Sequence, residues 1–187
     1  MADGARVGFL VAFNNLYRWC EMLRVVVRAA FFDGAVFGEI GEEPEDMFRA
    51  LGAVLVAAIA FGLGIRSVID VVPGGDNAID TNLAMFIAML TIVSSWAVWT
   101  VMVWLLGTKL FGGKASYRGL LRTLGICYGP VVFWLFLNIP AAGPLLSVTA
   151  HIWILAVGVL AVRQAQDIAW WKASISASLG WLWGLVI

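Results

Sequence analysis

Few side chains in this chain could carry chemistry. The single histidine is His151, the two cysteines are Cys20 and Cys127, and the long apolar stretches contain no aspartate or glutamate. One histidine cannot form a catalytic triad or a multi-histidine metal centre, and no cysteine pair stands at metal-ligand spacing. We therefore expect no enzymatic activity, no catalytic residue and no metal site.

Two interpretations of His151 stay open. Its side chain hydrogen-bonds Thr149 or a neighbouring helix, which is the common use of a polar side chain in a membrane bundle. Alternatively, it is the axial ligand of a haem or a chlorophyll-type pigment, since imidazole suits such metals. The first use is the more common one, so no cofactor is expected.

The composition is that of an integral membrane protein. Of the 187 residues, 62% are hydrophobic and 13% are charged, with a mean hydropathy of +0.93. Soluble domains average about 25% charged residues. Twelve Lys and Arg residues balance twelve Asp and Glu residues, so no net field attracts nucleic acid.

Five apolar segments have the length, or nearly the length, to cross about 30 Å of hydrocarbon. They lie at 50–69, 83–106, 122–138, 141–162 and 168–187. Pro130 predicts a kink in the third segment, Pro73 to Asn77 predict a turn between the first two, and the fifth segment is short. The sequence thus predicts an all-α integral membrane protein, with a bundle of five transmembrane helices at 47–187.

The region before this bundle, 1–46, contains a different kind of helix. From Arg6 to Phe32, charged residues gather on one side of a helical wheel and apolar residues take most of the rest. This pattern is typical of an amphipathic helix that lies in the cytoplasmic interface of the membrane. The helix either anchors the chain to the membrane surface or docks a partner.

The cations are distributed unevenly over the two sides of the predicted bundle. If five spans alternate, eleven of the twelve Lys and Arg residues fall on one side and only Arg66 falls on the other. The positive-inside rule then places the N-terminus in the cytoplasm and the C-terminus outside. We expect a multi-pass protein of the cell (inner) membrane.

The cytoplasmic cations also define a predicted contact surface for a partner or for anionic lipid headgroups, unless they serve only to set the topology. Its residues are Arg18, Arg24, Lys114, Tyr117, Arg118 and Arg122. Small residues are expected to allow close helix packing, within the chain or between chains. The predicted packing residues are Gly125, Gly129, Pro130, Gly180 and Gly184.

Several segments resemble the Ypt-interacting-protein (Yip) domain family, over roughly Ala29 to Ile187. The segments are Phe31-Phe32 through Glu39-Ile40 to Pro44, Gly113 to Tyr117, Gly125 to Pro130, the Ile139-Pro140 corner, and Trp153 with the cationic connection after it. The resemblance implies five spans, a cytoplasmic N-terminus and a membrane scaffold without catalytic residues, whose eukaryotic members contact Rab-type GTPases. The region before the first span has no Asp-Leu-Tyr-Gly-Pro-like motif, which argues against a GTPase contact and for a prokaryotic-type member.

We therefore predict a non-enzymatic scaffold or adaptor of the Yip-like type. Its expected partners are membrane lipids and a membrane protein or a second copy of the chain. One alternative is an accessory subunit of a respiratory, photosynthetic or transport complex, with a pigment or haem near His151; the small-residue face around Gly180 and Gly184 motivates this idea. A second alternative is permeation of a small solute near Pro130, Asn138 and His151.

Overall fold

The computed structural model describes residues 2–40, 44–71 and 80–184, and these residues form helices without a strand. The helices are α1 (Ala2–Ala30), α2 (Ala35–Glu39), α3 (Pro44–Val71), α4 (Thr81–Leu105, continued by a π-helical turn at Leu106–Leu110), α5 (Tyr117–Ile126), a 3₁₀ helix (Gly129–Phe136), α6 (Ala142–Gln166) and α7 (Trp170–Gly184). The predicted turn from Pro73 to Asn77 lies outside the described residues.

Helices α3 and α4 form an antiparallel pair. Asp80 caps the start of α4, because its carboxylate accepts hydrogen bonds from the amides of Asn82 and Leu83; such a cap satisfies the free amides of a first turn. Gly62 on α3 allows close approach, since a Cβ atom there would lie 2.7 Å from Met89 Cγ. The glycine therefore lets the two helices pack where a larger residue would separate them.

Helix α5 and the 3₁₀ helix together form a bent segment beside α3. Their axes differ by 42°, and the bend lies just before Pro130, in agreement with the predicted kink. Gly125 packs against Ala50 near the start of α3, whereas Trp134 packs by its carbonyl oxygen against Gly64. About 21 Å of helix rise separates Ala50 from Gly64. The bent pair thus advances along α3 and does not turn back.

Helix α7 packs between α4 and α6, and α6 completes the bundle by packing against the 3₁₀ helix. Trp99 lies at the centre of this packing, and its indole Nε1 donates to the carbonyl oxygen of Ala177 at 3.0 Å. Gly158 and Gly180 pack against the same ring. Gly184, the last described residue of α7, lies against Ser95, near the middle of α4.

Among the described residues, three or four of the five predicted spans are confirmed. Three helices, at Asp46–Asp70, Thr81–Leu110 and Ala142–Gln166, have the length and apolarity to cross a membrane, and the bent pair makes a fourth if it is one span. Helix α7 corresponds to the predicted fifth span, but its described part has 15 residues, or about 22 Å of helix. That length is less than the about 30 Å of a hydrocarbon core.

Helix α1 crosses the bundle and touches several elements in turn. Met22 packs against Gly52 of α3, Val26 packs against Gly129 of the 3₁₀ helix, and Trp153 of α6 donates to the carbonyl oxygen of Ala30 at 2.7 Å. The chain then turns at Phe31 and Phe32 into α2.

The charges divide the bundle into two ends. Of the cations whose side chains the structure describes, all except Arg66 lie at the end at which α3 begins and α4 and α6 end. We call this end the basic end and the other the opposite end. The cations of the basic end are Arg18, Arg24, Arg28, Arg49, Lys109, Lys114, Arg118, Arg122, Arg163 and Lys172.

Candidate contact surface at the basic end

A cleft opens between α1, α2 and the first turns of α3, and we call it the ionic cleft. Its volume is about 590 Å³, and its lining residues are Glu21, Arg24, Val25, Arg28, Val36, Ile40, Asp46 and Arg49. Helical spacing explains why the α1 residues share one face, since positions three or four apart are neighbours on a helix. The lining therefore combines charges of both signs with an apolar floor.

The charged side chains of the ionic cleft pair with one another. Arg49 Nη1 lies 2.7 Å from Asp46 Oδ1, and the Asp46 side chain is buried. Arg24 Nη1 lies 3.7 Å from Glu21 Oε1, with 68% of the arginine side chain exposed. Because exposed pairs contribute about 0–1 kcal/mol, the Glu21–Arg24 pair leaves Arg24 able to exchange its carboxylate for that of a partner.

Asp33 fixes the turn between α1 and α2, beside the cleft. Its Oδ2 accepts from Arg28 Nε at 2.7 Å, and its Oδ1 accepts from the amide of Ala35 at 3.1 Å. The hydrogen bond from Arg28 holds the pKa of Asp33 below its usual value of 3.8. The carboxylate therefore joins the last turn of α1 to the first turn of α2.

A second group of cations lies on the loop after α4 and at the start of α5. Lys114 is 83% exposed and lies 3.9 Å from the equally exposed Asp167. Arg118 is also exposed. Tyr117 packs edge-on against Trp104, with ring centroids 6.2 Å apart. The aromatic contact holds the first turn of α5 in place while both cations remain accessible to solvent.

Two of the predicted contact residues, Arg18 and Arg122, are less available to a partner. Arg18 is exposed, and its guanidinium lies 5.5 Å from the centroid of the Phe48 ring, a cation–π contact. Arg122 is buried, at 9% exposure, within α5. The structure therefore brings Arg24, Lys114, Tyr117 and Arg118 to the surface of the basic end and places Arg122 inside the bundle.

A buried glutamine outside the predicted contact residues supports this surface. Gln166 is fully buried, and its side-chain Nε2 donates to the carbonyl oxygen of Val103 at 3.0 Å. Its backbone carbonyl oxygen accepts from the amide of Lys114 at 3.3 Å. Gly107 and Gly113 make room for its carboxamide. The polar end of α6 is the sequence signal at this position, but it also contains Arg163 and Gln164, so it does not by itself identify Gln166 as the residue that positions Lys114.

His151 lies between two tryptophan rings. Its Nδ1 donates to the carbonyl oxygen of Ser147 at 2.8 Å, whereas the predicted partner Thr149 donates to Leu145. The centroid of the His151 ring lies 4.7 Å from that of Trp134 and 5.8 Å from that of Trp181. Because Nδ1 is engaged by Ser147, Nε2 is the nitrogen that could ligate the metal of a pigment or haem. Such a group at His151 stays a prediction. Within the described chain, no three side chains of His, Cys, Asp or Glu form a group that could hold a metal ion.

The predicted packing glycines all face partners within the chain. Gly125 lies against Ala50 and Gly129 against Val26, while Gly180 and Gly184 lie against Trp99 and Ser95 of α4. Pro130 is buried at the start of the 3₁₀ helix. The small-residue face of α7 is therefore already covered by α4, which removes the argument that Gly180 and Gly184 are open to a second protein.

The comparisons with known proteins give one match. The family model of the Yip1 domain matches residues 29–187. This range begins at the end of α1 and includes the whole bundle. No curated protein and no solved structure matches the chain.

Proposed function

Because the chain belongs to the Yip1 domain family, we propose that it is a multi-pass membrane scaffold that holds an acidic partner protein at the basic end. The Yip1 family is a non-enzymatic family associated with membrane trafficking. The proposal extends this family property to a contact surface of four residues, Arg24, Lys114, Tyr117 and Arg118.

The observation that carries the proposal is that the exposed Lys114 has its backbone bonded to the buried Gln166. The Lys114 side chain is 83% exposed, yet its backbone is tied to Gln166, whose side chain is fully buried. A cation on a fixed backbone loses less conformational freedom on binding than one on a mobile loop. Such an arrangement favours recognition of a partner over mere solvation of a surface charge.

The basic end faces the cytoplasm in this proposal. The positive-inside rule assigns the side with the excess of Lys and Arg to the cytoplasm, and Arg66 is the exception among the described cations. The opposite end then lies outside, and the membrane is the inner membrane of a prokaryotic cell. Aromatic residues at the basic end support a position at the membrane interface, since Arg163 lies 4.3 Å from the Trp170 ring centroid and tryptophans are enriched there.

The chemistry of the partner follows from the surface. Exposed cations select carboxylates, and Tyr117 offers an amphipathic ring of the kind that is enriched at protein interfaces. An anionic lipid headgroup would also interact with Lys114 and Arg118, but it would not require the tyrosine. We therefore assign the surface to an acidic protein segment and make lipid binding an outcome of the test.

Reversal of the two exposed charges tests the scaffold function. We expect Lys114→Glu with Arg118→Glu to lower the recovery of crosslinked or co-purified partners about tenfold, since opposed charges are replaced by like charges. The control variant, Lys114→Arg with Arg118→Lys, keeps both charges and should retain the partners. The measurement is quantitative mass spectrometry after purification in a mild detergent.

Two outcomes would contradict the proposal. Unchanged partners in the reversed variant would exclude a role of these cations in protein contact. Loss of binding to vesicles with anionic lipid, without loss of any protein partner, would assign the surface to lipid.

A further inference from the structure

The two halves of the bundle contain different numbers of elements. Helices α1 and α2 pack on the half between the basic end and the middle: Met22 lies against Gly52, Ala30 accepts from Trp153 at the middle of α6, and Gly34 lies near Leu160. In the half between the middle and the opposite end, the close contacts of the described residues join α3, α4, the 3₁₀ helix and α6. The half at the basic end therefore has the larger cross-section.

The outer face of α1 is apolar and uncovered. Five large side chains on it are each more than half exposed: Phe13 (62%), Leu16 (62%), Trp19 (53%), Leu23 (55%) and Val27 (52%). They lie on the side of α1 away from Met22 and Ala29, which face the bundle and are buried. A face of this size on a soluble protein would bind a protein or a membrane.

The apolar face of α1 continues onto the exposed apolar side chains of α3, which indicates that lipid covers both. The neighbouring helix α3 also exposes apolar side chains, including Phe48 (63%) and Leu55 (52%), and α3 is one of the helices with the length and apolarity of a membrane span. Arg24 borders the apolar face of α1 as a cation borders the apolar face of an interfacial helix, whereas Arg18 lies on the side of α1 that faces Phe48 of α3. The occupant is thus the acyl region of the leaflet at the basic end.

We propose that α1 is a wedge in that leaflet, and that the protein concentrates in membranes that are convex toward the basic end. Helix α1 is about 10 Å wide and runs from Phe48, near the start of α3, to Trp153, at the middle of α6, so it adds its cross-sectional area to the half of the bundle at the basic end. This area is added to one leaflet only. A leaflet on the convex side has more area per lipid and accepts the helix at a lower cost, which is why interfacial helices are sensitive to curvature.

Membrane tubes pulled from giant vesicles provide the test. The full chain with Cys20→Ser and Lys114→Cys is reconstituted and labelled from outside with a membrane-impermeant thiol dye, so that only molecules with the basic end outward are visible. The remaining native thiol, Cys127, is buried. We expect the dye-to-lipid ratio to be about twofold higher in the narrow tube than in the parent vesicle. Molecules labelled only from inside should be depleted in the tube.

A matched pair of variants links the effect to α1. Leu16→Ala, Leu23→Ala and Val27→Ala remove exposed apolar side chains from the wedge, and the ratio should fall toward one. Leu145→Ala, Val148→Ala and Ile152→Ala remove similar side chains, which are 69%, 58% and 64% exposed, from α6, and the ratio should remain twofold. All six side chains are more than half exposed, so neither variant removes a buried contact.

Three results would overturn the wedge proposal. They are a tube-to-vesicle ratio of one for the unmodified chain, equal enrichment of both orientations, and an equal loss in the two triple variants. The capture of acidic partners through Lys114 and Arg118 does not depend on Leu16, Leu23 or Val27. A failure of the curvature test with intact capture therefore rejects the wedge alone.

Discussion

The carboxylate of Asp33 decides the position of α2. It accepts hydrogen bonds from Arg28 on one side and from the amide of Ala35 on the other. Because its pKa lies below the ordinary value of 3.8, the folded state binds the proton more weakly than the unfolded chain does. The stabilising contribution is therefore complete at pH values above the unfolded pKa, and it is lost as the pH falls through the folded pKa.

Replacement of Asp33 by Asn should reproduce the acid state at neutral pH. The amide keeps an oxygen for the Ala35 amide but loses the charge that pairs with Arg28, so Asp33→Asn is expected to lower the melting temperature at pH 7. The difference from the unmodified chain should vanish below the folded pKa, where Asp33 is itself neutral. Thermal unfolding in detergent, followed by circular dichroism at both pH values, measures this.

Asp70 provides the control for this comparison. It lies 3.6 Å from Arg66 in an exposed pair at the opposite end, and exposed pairs contribute little. Asp70→Asn should leave the melting temperature nearly unchanged at pH 7. If the difference between the unmodified chain and the Asp33→Asn variant persists below the folded pKa of Asp33, the charge is not its cause.

Gln166 joins three elements of the bundle at the basic end. Its side chain bonds to Val103 of α4, its backbone bonds to Lys114 in the following loop, and it is itself the last residue of α6. The π-helical turn places Gly107 directly against the carboxamide. The end of α4 and the cationic loop are therefore held by a single residue, whose side chain has no space around it.

A methyl group at Gly107 is expected to break this arrangement. Gly107→Ala should lower the free energy of unfolding by about 1–3 kcal/mol, as overpacking of a filled interior does, because its Cβ would overlap the Gln166 carboxamide. Gly38→Ala is the matched control, since nothing lies within 4 Å of a Cβ atom there. Unfolding in mixed micelles measures both, and equal stability of the two variants would contradict the role of Gln166.

The helices that could be predicted are those whose signals are local. Helices α3, α4 and α6 each correspond to one long apolar run in the sequence, so hydropathy alone locates them. The third predicted span began at 122, whereas α5 begins at Tyr117, because the Ser116 hydroxyl accepts from the Gly119 amide and caps a first turn that contains Arg118. A hydropathy window does not detect such a turn.

The contact surface was predicted less completely, for a tertiary reason. The exposure of Lys114 and Arg118 can be predicted, because both lie in a cationic connection between apolar segments. The burial of Arg122 and the presence of the ionic cleft depend on how α5 and α1 pack against α3. Asp46 and Arg49 have the same three-residue spacing as Glu21 and Arg24, and that spacing was the available signal for the α3 side of the cleft. Which helix faces which is not encoded in either pattern.

The bundle as a whole has a polarity that labelling can measure. Lys114 lies at the basic end, and Asn138 is exposed in the turn between the 3₁₀ helix and α6, at the opposite end. In chains that also carry Cys20→Ser, Lys114→Cys and Asn138→Cys should react with an impermeant thiol reagent from opposite sides of the membrane. We expect the Lys114→Cys site on the cytoplasmic side. Reaction of both sites from the same side would mean that the bent pair does not cross the membrane.

Side chains three residues apart eclipse one another along the 3₁₀ helix, because it has three residues per turn. Val131 (0% exposed) and Trp134 (5%) accordingly share an inner edge, while Val132 (39%) and Leu135 (37%) share an outer one. The segment is triangular in cross-section, with one straight row of side chains on each edge. Replacement by alanine should thus cost more stability at Val131 and Trp134 than at Val132 and Leu135, and a single-residue insertion would turn each following side chain by about 120° onto the next edge.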